Sequence, residues 1–179
     1  MRILGLDPGL TRCGVSVVTV DSSRRYAMEH VSVVRTAADL PLAQRLVQLE
    51  TALTDIFTRF SPDAMALERV FSQVNVRTVM GTAQASAVAL LCAGRLDVPA
   101  FMYTPTEVKA AVTGYGKADK SQVTTMVTRI LHLTEPPKPA DAADALALAL
   151  CHGMKGINHN LLLNAQRTQA TRLSELVAK

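Results

Sequence analysis

The chain has few cysteines, no recognisable secretion signal and no long apolar run. Its three cysteines, Cys13, Cys92 and Cys151, are isolated and show no metal-ligand spacing, which favours a reducing, cytoplasmic setting. The first 20 residues lack the order of basic head, apolar block and small-residue cleavage site that marks a secreted protein. No apolar run approaches the ~18 residues that a membrane span requires, so we expect no membrane association.

The length and composition of the chain indicate a single domain with a hydrophobic core. The 179 residues are 49% hydrophobic, which excludes a disordered chain. The formal charge of +4 and the sequence pI near 9.2 are compatible with a polyanionic partner without requiring one.

The order of predicted elements indicates an α/β fold with a mixed sheet. Hydrophobic periodicity predicts five strands, over residues 2–7, 15–20, 26–34, 63–68 and 98–103. Helices are predicted over residues 41–60, 76–96, 105–113, 120–131 and 140–152. Thr104 and Asp119 have the sequence context of N-caps, so Glu107, at the third position of a capping box, is expected to be a structural acid.

Asp7 stands at the end of the first apolar strand, immediately before Pro8 and Gly9. Because a buried carboxylate is costly unless it is paired or bound to a cation, Asp7 is a candidate metal ligand. Glu68 also ends a short apolar strand, and ligands in α/β folds gather at strand ends. Each acid also has a simpler interpretation, Asp7 as a turn-capping residue and Glu68 as a surface acid.

Asp141 and Asp144 are three residues apart on a predicted helix, so they share one face. A divalent cation would relieve their repulsion, and an all-carboxylate site favours Mg²⁺ or Mn²⁺ over Zn²⁺. The helix dipole explains Asp141 in the first turn without a metal, but explains Asp144 less well. His152 lies ~12 Å further along the helix, and is expected to be an ordinary helix-end residue outside the site.

Four segments together resemble the bacterial RuvC Holliday-junction resolvases. They are residues 4–14 (LGLDPGLTRCG), 67–71 (LERVF), 114–123 (GYGKADKSQV) and 140–147 (ADAADALA). The resemblance covers about residues 1–153, which would form a nuclease domain, and leaves residues 154–179 as a tail of unassigned role.

The resemblance implies a ribonuclease-H-like fold, with a five-stranded mixed sheet flanked by helices. It implies a homodimer that nicks symmetry-related strands of a four-way DNA junction, leaving 5′-phosphate and 3′-hydroxyl ends. The family's four metal-binding acids fall on Asp7, Glu68, Asp141 and Asp144, with Asp7 bridging two Mg²⁺ ions for which Mn²⁺ can substitute. A branch-migration complex is a further partner implied by the family.

Basic residues near the acids are the candidates for DNA binding, since an acidic site repels phosphate. The resemblance assigns functional roles to Lys109 and Lys120, and a base contact to Phe71. Position along the chain adds three further candidates, Arg69, Arg77 and Lys117, with flanking glycines favouring a close, adaptable loop around Lys117. The alternative is a solvated surface base in each case, and a core anchor for Phe71.

The small residues of the predicted helix 76–96 permit close helix packing, which the resemblance assigns to the dimer interface. Three other functions remain open at this point. They are a ribonuclease-H-like nuclease with another substrate, an actin-like ATP-binding phosphotransferase and a non-catalytic junction-binding module.

Overall fold

The computed structural model describes residues 1–69 and 76–155. Within them, five strands form one mixed sheet with helices on both faces, which confirms the expected fold class. The strands are β1 (Arg2–Asp7), β2 (Arg12–Val20), β3 (Tyr26–Arg35), β4 (Ala64–Glu68) and β5 (Ala100–Tyr103). The helices are α1 (Leu42–Phe60), α2 (Val76–Arg95), α3 (Pro105–Thr113), α4 (Lys120–Ile130) and α5 (140–155).

The sheet has the strand order β3-β2-β1-β4-β5. The first three strands form an antiparallel meander, whereas β4 and β5 run parallel to β1. In this arrangement β1 is the central strand, and its C-terminal end lies beside that of β4. Leu6 is paired with Leu67, so Asp7 and Glu68 follow at the same edge of the sheet.

The sheet separates two hydrophobic cores, because alternate residues of β1 point to opposite faces. On one face, Leu4 and Leu6 pack with buried residues of α1 and α2. On the other, Ile3 packs with residues of α3, α4 and α5. By the same alternation, Asp7 and Glu68 belong to the face covered by α5.

Helix α5 lies directly on the backbone of β1 and β2. A Cβ atom added to Gly5 would lie 2.1 Å from the Ala145 carbonyl oxygen, and one added to Gly14 would lie 2.1 Å from the Asp141 carbonyl oxygen. Between them, the buried Ser16 hydroxyl donates to the same Ala145 oxygen at 2.8 Å. Only glycine permits an approach this close, so the two glycines determine how closely α5 packs on the sheet.

Both predicted caps are present. Thr104 and Asp119 each accept a hydrogen bond from the backbone N–H three residues on, and the side chains of Glu107 and Gln122 return the bond. Glu107 is therefore a structural acid, as expected, and its second carboxylate oxygen accepts from Lys155 at 2.9 Å.

Two boundaries differ from the sequence prediction by three residues. β2 begins at Arg12 rather than at residue 15, since Gly14 is paired with Asp7 instead of lying in a turn. α5 continues to residue 155, which places His152 inside it. His152 is buried, and its Nδ1 lies 2.7 Å from the Tyr103 hydroxyl. It is a core residue, not a helix-end one, although it does lie outside the acidic site.

Among the described residues, no helix combines the length and apolarity that crossing a membrane requires. Residues 156–179 and Phe71 lie outside the described residues, so the tail and the base contact remain predictions.

Candidate active site

The four predicted acids meet at one edge of the sheet. Asp7 is half-buried, and its pKa is raised from 3.8 to about 7, first by burial and then by the charges of Asp144, Glu68 and Asp141. Burial and Asp144 raise the pKa of Glu68 as well. Carboxylates from three elements therefore act on one another electrostatically, although β1, β4 and α5 are distant in sequence.

Two basic side chains are paired with the acids of α5. Lys120, the first residue of α4, donates from Nζ to Asp144 Oδ2 at 3.0 Å. This bond and the charges of Asp144, Asp7 and Glu68 raise the pKa of Lys120. The Lys120 side chain is 76% exposed, so this cation stands at the mouth of the site.

Arg12 makes the second pair. Its Nε donates to Asp141 Oδ2 at 2.9 Å, and its Nη2 contacts the same oxygen. Sequence reasoning missed Arg12, although it is in the segment that carries the family resemblance. The sequence prediction began β2 at residue 15. It therefore could not show that the alternation of the strand places Arg12 and Gly14 on the face of α5.

The acids do not yet form a ready metal site. Among the described residues, no group of three or more His, Cys, Asp or Glu side chains is arranged to hold a metal ion. Asp141 and Asp144 are instead engaged by Arg12 and Lys120. Four carboxylates face these two cations, so the cluster keeps an excess of negative charge, and its all-oxygen donors suit a hard divalent cation. By its chemistry, the donor set therefore fits a divalent metal ion.

A cleft of about 290 Å³ opens beside the acids. Glu68 and Asp144 form its acidic wall, and Lys109 and Lys120 supply positive charge. The structure thus brings two predicted DNA-binding lysines to the acidic site, where they can offset the repulsion between carboxylates and phosphate.

Of the other three basic residues predicted to bind DNA, two are exposed, and the side chain of the third is not described. Arg69 follows β4 directly, and its exposed side chain emerges next to Glu68. Lys117 is exposed in the α3–α4 connection. Arg77 lies in the first turn of α2, but its side chain is outside the described part of the chain.

Comparison with known proteins gives a consistent result. A family model described as "Crossover junction endodeoxyribonuclease RuvC" matches residues 3–152. A protein of that name from Streptomyces avermitilis is 58% identical over 172 residues, covering 96% of this chain and 98% of its own. Another from Salinispora arenicola is 60% identical over 156 residues, covering 87% and 89% of the two chains.

A solved structure described as "T. thermophilus RuvC in complex with Holliday junction substrate" superimposes with a TM-score of 0.84 at 35% identity. The superposition covers 87% of this chain and 94% of the chain in that structure.

Proposed function

The chain belongs to the RuvC family of crossover junction endodeoxyribonucleases, and we propose that it resolves four-way DNA junctions at the acidic cluster of Asp7, Glu68, Asp141 and Asp144. One observation carries the assignment of the site. Asp7, half-buried at the end of the central strand, is surrounded by the charges of the other three acids. A divalent ion is the partner that such a group of carboxylates requires.

Nucleases of this family depend on metal ions, and we propose Mg²⁺, with Mn²⁺ able to replace it and two ions per site. The four carboxylates would hold them. When bound, such ions polarise the phosphodiester and activate water for in-line displacement, which leaves a 5′-phosphate and a 3′-hydroxyl.

The protein's own side chains set the spacing of the metal ligands and orient the DNA. Asp7 and Glu68 are fixed by neighbouring strands, and Asp141 and Asp144 by α5, so their spacing depends on how the helix lies on the sheet. Lys120 and Lys109 attract the phosphate backbone to the cleft, with Arg69, Lys117 and Arg77 extending the basic surface. Contacts of this kind orient DNA without reading its sequence.

We propose that the enzyme acts as a homodimer formed through α2. The small residues Ala85, Ala89 and Ala93 of α2 are buried within the subunit, so core packing accounts for them. A different stripe of α2 is exposed and apolar, namely Met80, Ala83, Ala87 and Leu91. These positions recur at helical spacing, and a two-fold pair would place one site on each of two related strands.

The cytoplasm is the compartment that we propose, because all three cysteines are free and buried in the structure. A branch-migration complex as partner remains a proposal from the family alone.

A synthetic four-way junction tests the function. Incubation with Mg²⁺ or Mn²⁺ should give paired symmetric nicks that ligase can reseal, while EDTA should abolish them. Linear duplex and an RNA–DNA hybrid of the same sequence should remain intact. Equal cleavage of the duplex would indicate a nuclease of another substrate class. Metal-dependent junction binding without nicking would indicate a binding module, and ATP hydrolysis without nicking a phosphotransferase.

A further inference from the structure

Arg12 is a partly exposed base that contacts one of the proposed metal ligands, Asp141. Both of its contacting nitrogens converge on one oxygen of Asp141, and the two side chains are 45% and 23% exposed. A positive group is thus held against a carboxylate that the proposed function assigns to a divalent cation. Two cations competing for one carboxylate oxygen cannot both be bound at full strength.

Arg12 also has a second basic residue opposite it in the sheet. Arg35 on β3 is its direct cross-strand partner, and the alternation of strands places both on the face of α5. Like charges opposite each other weaken a sheet, so this pair is unfavourable unless an anion lies nearby. Asp141 supplies one such anion, and a phosphate would supply another.

The position of this pair complements that of the lysines. Lys109 and Lys120 line the cleft on the Glu68 side of the acids, at the end of β4. Arg12 and Arg35 lie on the other side, where β2 and β3 run. The acids therefore have positive charge on both sides, and DNA crossing the site would pass from one basic group to the other.

From this geometry we propose that Arg12 is a positioning residue that holds Asp141 in the metal-free enzyme and transfers to a DNA phosphate when metal and junction are bound. The inference rests on the proposed function, because it takes Asp141 as a metal ligand. It makes metal binding and DNA binding mutually supportive: the phosphate removes Arg12 from Asp141, and the freed oxygen becomes available to the ion.

The first test measures Mn²⁺ affinity by calorimetry on the full chain without DNA. Arg12→Gln removes one positive charge beside the acids, so Mn²⁺ should bind about fivefold or more tightly than to the wild type. Arg12→Lys keeps the charge and should remain near the wild-type affinity. A purely structural role for Arg12 predicts weaker binding in Arg12→Gln. Unchanged or weaker Mn²⁺ binding in this variant would overturn the proposal.

The second test measures junction affinity in Ca²⁺ across a salt series. Arg12→Gln should bind the junction several-fold less tightly, and the slope of log K against log salt should fall by about 1 for each phosphate that the variant no longer neutralises. An unchanged slope would also overturn the transfer of Arg12 to phosphate. The expected changes in metal and DNA affinity have opposite signs, which general damage to the fold cannot produce.

Arg25→Gln is the matched control. Arg25 forms an Arg–Asp pair with Asp21 at the far end of the β2–β3 hairpin, so this variant removes the same charge at a distance from the acids. It should change neither affinity. The wild type separates the two hypotheses: if it fails to bind the junction, the proposed function is wrong, whereas normal junction binding with unaffected Arg12 variants would refute only the role of Arg12.

Discussion

At the scale of single residues, the acidic site is defined by one half-buried carboxylate, that of Asp7. Sequence reasoning found Asp7 because an acid that ends an apolar strand is physically costly. It did not find Arg12 or the close approach at Gly14, because neither follows from hydrophobic pattern. Both depend on which residue of β2 faces α5, and that register is fixed only when the sheet forms.

The first prediction concerns Asp7→Asn in the metal-free protein. The folded state binds a proton at Asp7 near pH 7, whereas the unfolded chain does so near 3.8. Between these values the folded state holds more protons, so the free energy of unfolding of the wild type should rise as pH falls from about 7 to about 4. Asp7→Asn should lose most of this dependence, keeping the part that the raised pKa of Glu68 contributes, and be more stable above pH 7 by on the order of 1–3 kcal/mol.

Urea unfolding in EDTA at pH 8 and pH 5 measures both effects. Asp55→Asn, an equally conservative change on the exposed surface of α1, serves as the control and should alter neither. In Mg²⁺, Asp7→Asn should abolish junction cleavage while leaving junction binding largely intact. A variant that cleaves at the wild-type rate would contradict the role of Asp7 as a metal ligand.

At the scale of elements, the position of α5 decides the geometry of the site. Residue pattern predicted that Asp141 and Asp144 share a helical face, and the structure places both beside Asp7. Pattern did not predict that α5 touches strand backbone directly. Gly14 looked like part of a tight connection in sequence, because glycine marks turns and close approaches equally well.

Gly14→Ala tests this packing of α5 on β2. The added methyl would meet the Asp141 carbonyl at 2.1 Å, and main chain cannot yield as a side chain can. We expect a loss of stability of about 1–3 kcal/mol and a fall in cleavage rate of at least about tenfold, since a small displacement of catalytic groups is enough.

Gly94→Ala is the matched change in α2, where nothing lies within 4 Å of the added carbon. It should be neutral or stabilising by up to about 1 kcal/mol. If Gly14→Ala retains full cleavage activity, the packing of α5 against β2 does not position the acids.

The capping box of α3 gives a pH-dependent prediction. The Thr104 backbone N–H, followed by Lys155, lowers the pKa of Glu107 from 4.5 to about 2. Its stabilising effect is therefore complete above about pH 4.5 and is lost as pH falls towards 2. Glu107→Gln keeps an acceptor for the cap but removes the charge, so its stability should decline less than that of the wild type in that window. Thr104→Ala removes the cap and should cost ~1 kcal/mol at every pH.

Thermal unfolding between pH 2 and pH 7 distinguishes these two variants. An identical acid profile for the wild type and Glu107→Gln would show that the charge of Glu107 does not stabilise α3.

At the scale of the whole molecule, the sequence predicted the mixed sheet and the order of its strands and helices well. The prediction from sequence was weaker for α2, because its alanines lie on both the buried and the exposed side of the helix. The small residues of α2 suggested a dimer interface, and the structure divides them between two sides of the helix. Ala85 and Ala89 are buried within the subunit, whereas Ala83 and Ala87 belong to the exposed stripe. Which side of a helix faces a partner depends on the side already taken by the core.

Ala87→Glu tests the dimer. A charge in the middle of the exposed α2 stripe would be buried between two subunits, at a cost of several kcal/mol. Sedimentation at micromolar concentration should show a dimer for the wild type and a monomer for the variant, with paired nicking replaced by uncoupled single nicks.

Met28→Glu is the control, because Met28 is exposed on β3, on the face of the sheet opposite α2. It should remain dimeric. A monomeric wild type, or a dimeric Ala87→Glu, would contradict assembly through α2.

The acids and the exposed stripe of α2 lie on opposite faces of a single sheet. A second copy bound to one face would leave the carboxylates on the other uncovered, so assembly and access to the reactive centre do not compete. Such a layout suits a bulky, branched polymer that must reach both halves of the pair at once.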